Sequence, residues 1–248
     1  MIPQLGQLQW TLAIVAAFCA GLSKAGFVGM GLVAVIVFAN IFGARDSTGV
    51  VLPLFIAADF GAVGAFRQHA RWDYIRRTLP PAAAGVVIGT LIMQRMDNAS
   101  FRPVLGAVIL ALTLMQLARL RWPDVYGSVP HSRGLAWTLG LLAGMATMMA
   151  NAAGPLVALY FVAVGLPKFE VVGTLAWFFF IINLFKVPFS AGIGVIDAQT
   201  LMFDAMLVPA VFAGLLAGRW LIHRVPQRAF DTLMLAFAGI AAVRLLAR

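Results

Sequence analysis

Lys24, Asp59 and Lys186 each stand inside a long apolar stretch of the sequence. A charged side chain within a bilayer costs about 3 kcal/mol even on the mildest insertion scales, so it marks a functional position and calls for a partner. Lys24 lies in the run Gly21-Leu22-Ser23-Lys24-Ala25-Gly26-Phe27-Val28-Gly29-Met30-Gly31, which interrupts apolar sequence with glycines and the Ser23 hydroxyl. Such a break frees backbone groups from helix bonds, and lipid tolerates that only where protein or a wet cavity covers them. An ammonium at this depth calls for an anion. A helix predicted to begin near Phe27 aims its N-terminal amides at the same place, which also favours negative charge. Gly26, Gly29 and Gly31 let backbone approach a ligand closely. The competing reading of Lys24 is a side chain that snorkels to the interface from a short helix end.

A second break runs from Gly144 to Pro155 as Gly144-Met145-Ala146-Thr147-Met148-Met149-Ala150-Asn151-Ala152-Ala153-Gly154-Pro155. Proline suits the first turn of a helix, so a new helix is predicted after Gly154-Pro155 with its amides free. Thr147 and Asn151 offer neutral donors for a ligand, or serve as ordinary caps and interhelical bonds. Asp59 and Asn183 fall at matching depths of two other apolar stretches. Asp59 reads as a proton carrier or as the structural partner of Lys24 or Lys186. Lys186 follows Asn183 by three residues, which puts both on one helical face, as a second anion contact or as a snorkelling side chain. Polarity and symmetry add Thr174 to this set.

These residues must be positioned by a membrane architecture. The chain has 248 residues, 62% hydrophobic and 11% charged, where a soluble domain would carry about a quarter charged residues. Ten hydrophobic helices are read at 8–22, 26–43, 47–66, 74–94, 100–120, 133–150, 152–165, 169–190, 200–222 and 228–246. A full span needs roughly 20 residues, so the first, second, sixth and seventh are re-entrant hairpins or short tilted spans. The first apolar run lacks a basic leader and passes directly into further segments, unlike a cleaved signal peptide.

The two halves repeat. From Gly49 to Asp73 the second half follows 124 positions later, pairing Gly49 with Gly173, Asp59 with Asn183 and Asp73 with Asp197. The shift then becomes 129, pairing Pro80 with Pro209, Gly85 with Gly214, Gly89 with Gly218, Arg95 with Arg224, Phe101 with Phe230 and Leu117-Ala118-Arg119 with Leu246-Ala247-Arg248. Five segments per half make the second half enter from the opposite side, an inverted-topology repeat. The first repeat covers 1–122, a connecting loop 123–132, and the second repeat 133–248.

Lysine and arginine counts set the orientation. Arg67, Arg71, Arg76, Arg77, Arg119, Arg121, Arg133, Lys168, Arg224 and Arg228 fall on one side; Arg45, Arg95, Arg102, Arg244 and Arg248 fall mainly on the other. The richer side is expected to be cytoplasmic, with both termini periplasmic. The basic, aromatic run Arg67–Arg77 is expected to be a cytoplasmic loop and not a nucleic-acid patch. Cys19 is the sole cysteine and His69, His131 and His223 lie in loops or at helix ends, so no metal cluster, disulfide or cofactor is expected. HExxH, Walker A and GxSxG motifs are absent, which points away from an enzyme and from an ATP-driven pump.

In order along nearly the whole chain, the first break, the loop His69-Ala70-Arg71-Trp72-Asp73, the run Met149–Tyr160, Gly165-Leu166-Pro167-Lys168 and the stretch Val172–Pro188 resemble the sulfite exporter TauE/SafE family of bacterial inner-membrane proteins. Many members of that family are richer in glycine at the second break, where this chain has Met148, Met149, Ala152 and Ala153. The resemblance implies export of sulfite or organosulfonates such as sulfoacetate by an all-helical membrane protein. Its partners would be a small anionic substrate and the lipid bilayer. Other readings are transport of a different small anion such as a carboxylate, of a metal ion, or a membrane accessory or sensor subunit.

Overall fold

The computed structural model describes residues 5–97 and 133–222 without a gap, isolated positions between 99 and 122, and residue 224. The described part is helical: α1 (Gln7–Lys24), α2 (Gly29–Phe42), α3 (Ser47–Phe66) with a 3₁₀ turn at Arg67–His69, α4 (Trp72–Met93), α5 (Arg133–Ala150), α6 (Gly154–Ala163), α7 (Lys168–Gly192) and α8 (Ala198–Leu221). Three of these stretches, Ser47–His69, Lys168–Gly192 and Ala198–Leu221, are long and apolar enough to cross a membrane. Of the expected helices, 100–120 is described only at scattered positions, and 228–246, the connecting loop 123–132 and the pairings with Phe230 and Leu246–Arg248 lie outside the described residues.

The short helices form two hairpins. Trp10 at the start of α1 and Phe42 at the end of α2 both stack on Phe203, with ring centroids 5.3 and 5.2 Å apart. The open ends of this pair therefore meet, and the glycine-rich break is its tip. In the second pair, Tyr160 and Phe161 of α6 pack on Tyr74 near the start of α4, where Gly140 of α5 also meets Thr78 and Pro81. Helix α6 has 10 residues, about 15 Å of rise, and α2 has 14, about 21 Å. Neither covers the roughly 30 Å of a hydrocarbon core. The two tips touch, Gly154 against Val28.

Small residues let the helices approach backbone to backbone. Helices α1 and α8 run parallel: Gly21 takes the Val211 carbonyl, Gly214 the Phe18 carbonyl, and Gly218 packs on Leu22 and Ala25. Helices α4 and α5 also run parallel: Gly144 takes the Ala82 carbonyl, Gly85 the Leu141 carbonyl, and Gly89 packs on Met145 and Met148. Helices α3 and α7 are antiparallel and form the centre, with Gly49 against Val195 and Gly173 against Phe66 and Ala70. Met202, Met206, Leu216 and Trp220 form an exposed apolar face of α8, the surface expected to face lipid.

The basic residues gather at one end. Arg71 Nη1 donates to Glu170 Oε2 at 2.9 Å, and Lys168 Nζ donates to the Ile222 carbonyl. The start of α7 thus joins the ends of α3 and α8. Arg45 reaches the Ile193 carbonyl at the opposite end. The run expected as a loop from Arg67 to Arg77 is instead helical from Trp72 onward. Asp73 sits in the first turn of α4, where a negative charge offsets the exposed amides.

Candidate functional site

The tips and the centres of α3 and α7 line a partly open cavity of about 40 Å³. One water needs roughly 10–15 Å³ by that measure, so there is room for a few waters or a small oxyanion. Ser23, Lys24, Gly26, Val28, Gly31 and Leu32 line it from the first tip; Thr147, Asn151, Ala152, Gly154 and Pro155 line it from the second. Phe55 comes from α3, and Val172, Leu175, Ala176 and Phe179 come from one face of α7. The N-terminal ends of α2 and α6 converge here, so two helix dipoles present their positive ends.

Lys24 is the last residue of α1 and is the charged residue on the cavity wall. Its side chain is 10% exposed and its Nζ lies 2.9 Å from Asp59 Oδ1. The same Nζ sits 4.6 Å from the ring centroids of both Phe55 and Phe179, a distance at which aromatic faces attract cations. The two rings thus hold the ammonium between them. Of the two lysines that the sequence offered as partners, Lys24 is the one that pairs with Asp59.

A polar chain continues behind the wall. Asn183 Nδ2 donates to Asp59 Oδ2 at 2.7 Å. Lys186 Nζ donates to Thr147 Oγ1, Asn151 Oδ1 and Asn183 Oδ1. Asn151 Nδ2 donates to the Thr48 carbonyl at 2.8 Å. Each amide has its NH₂ on an oxygen acceptor, so its carbonyl must face Lys186. Three oxygen acceptors match the three N–H bonds of an ammonium. Lys186 does not snorkel; it is fully enclosed.

Asn151 is the non-glycine described residue with a left-handed backbone, φ 49°. It follows Ala150, the last residue of α5, and asparagine tolerates this conformation at a helix C-terminus. The turn releases the chain toward α6 and aims the side chain between Thr48 and Lys186. Asn151 therefore spends its amide N–H on protein. Ser23 Oγ likewise donates to the Ala20 carbonyl at 2.7 Å. Both remain on the wall but leave the ammonium of Lys24 and the Thr147 hydroxyl as the side-chain donors nearest a ligand.

The structure brings together Ser23, Lys24, Gly26, Gly31, Thr147, Asn151 and Gly154 on the cavity, with Asp59, Asn183 and Lys186 packed behind them. Gly29 opens α2 and does not line the space. Thr174 faces the basic end, accepting from the Arg71 amide at 3.0 Å and donating to the Glu170 carbonyl; its neighbours Val172, Leu175 and Ala176 turn inward in its place.

Phe55 and Phe179 escape a search for polar residues, yet they lie 124 positions apart, so the shift that pairs Asp59 with Asn183 would have found them. Outside the cavity lining, Asp204 is buried in α8, and neither carboxylate oxygen has a hydrogen-bond partner among the described residues. Its signal in the sequence is a lone acidic residue inside an apolar helix.

Below the cavity, toward the basic end, Leu22, Ala25, Phe27, Ala62, Phe66, Val172, Ala176, Leu215 and Ile222 form a separate apolar cluster. Its Val172 and Ala176 also line the cavity.

Three stretches long and apolar enough to cross a membrane, and two hairpin tips that meet at a cation-bearing cavity, fit the architecture of a membrane transporter. The sequence profile of the family described as Sulfite exporter TauE/SafE matches residues 13–245, and this multi-pass membrane protein belongs to that family. No curated protein and no solved structure matches the chain.

Proposed function

We propose that the protein exports small sulfur-containing anions, sulfite or organosulfonates such as sulfoacetate, from the cytoplasm across the inner membrane. The observation that carries this reading is Lys24, an ammonium on the wall of a cavity with two helix N-termini. The family's description supplies the sulfur oxyanion. An inside-negative potential favours anion efflux by about 2.3 kcal/mol per charge per 100 mV, so membrane potential or an ion gradient can drive the step.

The proposed framework is two inverted five-helix repeats, 1–122 and 133–248, joined by 123–132, with both termini periplasmic and the basic end cytoplasmic. Three pairs of contacts support it. Gly21 on Val211 corresponds to Gly144 on Ala82, Gly214 on Phe18 to Gly85 on Leu141, and Gly218 on Leu22 and Ala25 to Gly89 on Met145 and Met148. Every residue in these contacts is related to its counterpart by a shift of 123 or 129 positions. In this framework each hairpin re-enters from its own side. Alternating access then follows from rocking of one bundle against the other, with the apolar cluster at the basic end opening to admit the anion.

The test is thermal stability of the purified protein with sulfite, thiosulfate, sulfoacetate, isethionate, taurine, acetate and chloride. A ligand of the folded state stabilises it, by about 2.7 kcal/mol at 100 times Kd. Sulfite or a sulfonate should raise Tm, and the paired variant Lys24→Met/Asp59→Asn, which leaves no orphaned charge between these two positions, should show no shift. Stabilisation by acetate alone would redirect the assignment to carboxylates. Silence across the panel in a folded, monodisperse sample would overturn anion transport.

A further inference from the structure

We infer that Asp59 is an internal substitute for the transported anion, occupying Lys24 while the site is empty and releasing it when a singly charged anion enters. This rests on the anion-transport reading above and adds to it the charge class of the substrate and the group it must displace.

Three observations carry the inference. First, among the described residues Asp59 Oδ1 is the oxygen that pairs with Lys24, and the aromatic rings on either side attract the ammonium without satisfying its remaining N–H bonds. An anion in the cavity draws the ammonium toward itself and so away from Asp59. Second, Asp59 has no access to the cavity; it is completely buried behind the wall. Lys24 can turn toward the cavity while Asp59 stays in place. Third, Asp59 has a reserve. Its other oxygen is held by Asn183, whose carbonyl lies 3.3 Å from Lys186 Nζ. A second cation thus sits one amide away when Lys24 departs.

The charge count then sets the substrate class. Lys24 is the charged residue on the cavity wall, and Asp59 neutralises it in the empty site. When the ammonium turns to the cavity it lacks one negative charge. A monoanion supplies that charge, whereas a dianion would exceed it, and buried uncompensated charge is costly either way. The site is accordingly suited to a singly charged sulfonate or the singly protonated form of sulfite. In the empty carrier the Lys24–Asp59 pair is internally neutral, so the ammonium has a counter-charge during the return step.

The experiment measures binding of methanesulfonate, a monoanion, and sulfate, a dianion, by calorimetry, together with efflux from proteoliposomes. Wild type should bind methanesulfonate and bind sulfate more weakly. Asp59→Asn should bind methanesulfonate roughly tenfold tighter, within the usual range of coupling between two sites, and should release it more slowly. Asp59→Asn alone leaves Lys24 without its counter-ion and can fail to fold, so the exchange Asp59→Asn/Asn183→Asp is the decisive variant. It keeps the buried charge, moves the carboxylate to the Lys186 side and frees Lys24; it too should bind methanesulfonate tighter than wild type. An exchange variant that binds no tighter overturns the inference while the anion site stands, as does wild-type preference for sulfate. A wild type that binds neither probe, nor any anion of the wider panel, overturns the anion site itself.

Discussion

At the first hairpin tip Gly21 receives the Val211 carbonyl, and at the second Gly144 receives the Ala82 carbonyl. The open ends match as well: Phe203 gathers Trp10 and Phe42, and Tyr74 gathers Tyr160 and Phe161. The polar atoms follow no such rule. The first tip carries Lys24, paired with Asp59 from α3. The position 123 residues later is Thr147, which accepts from Lys186 of α7. Asp59 itself meets the neutral Asn183 at its own repeat position. Close helix packing is shared because an added methyl would collide with backbone in either half. Charge is unshared: the first tip carries an ammonium where the second carries a hydroxyl.

Breaking the shared packing should have the largest effect. Gly21→Ala and Gly144→Ala each put Cβ onto a facing carbonyl, so both should destabilise by about 3 kcal/mol or more, read as lost monodisperse protein and a lower Tm. Gly64→Ala in α3, where nothing lies within 4 Å, is the control and should be neutral. A large difference between the two glycines would end the comparison of the tips.

The unshared charges come next. Lys24→Met leaves Asp59 buried without a counter-ion, a loss of about 3–5 kcal/mol, while Lys24→Met/Asp59→Asn removes the pair and should recover most of it. A double variant no more stable than the single would show that Asp59 does not depend on Lys24.

A third difference can be erased. Asp204 corresponds to Ile75 of the first repeat, 129 positions earlier, and Ile75 is buried and apolar. Asp204→Ile should raise stability by about 1–3 kcal/mol by removing an unpartnered buried carboxylate. A fall in Tm would mean that the acid has a partner in another state of the protein.

The smallest effect belongs to the helix starts. Asp73 and Asp197 lie 124 positions apart, but Asp197 caps α8, accepting from the Thr200 amide at 2.7 Å. That backbone bond, aided by the Thr200 hydroxyl, holds its carboxyl below the usual range. A lowered folded pKa means the cap contributes fully above the unfolded aspartate value of about 3.9 and is lost as pH falls through the folded value. Asp197→Asn, which still caps, should remove this acid dependence from Tm and leave neutral-pH stability nearly unchanged.

Much of this architecture is legible in the residues. Lipid admits backbone only as helices or as breaks covered by protein, so apolar length, proline and glycine mark the elements locally. The limits expected for the third helix, 47–66, and the sixth hydrophobic segment, 133–150, coincide with α3 and α5. The first break is less exact: α1 continues through Lys24. The loop expected at Arg67–Arg77 fails after Ala70, because aromatic and basic residues fit a helix start at the interface as readily as a loop.

By itself, the sequence determined that this is a helical membrane protein, roughly where its helices break and which polar residues stand within apolar stretches. Those are properties of single segments and of their hydropathy. Only the tertiary structure decided that Lys24 takes Asp59, that Lys186 turns inward to three oxygens, and that two phenylalanines wall the ammonium. Nearly all of these choices join residues far apart in the chain, such as Lys24 with Asp59, Lys24 with Phe179 and Lys186 with Asn151. They depend on how closely glycine-faced helices dock and on which side of each helix then faces the cavity, and no local pattern encodes that.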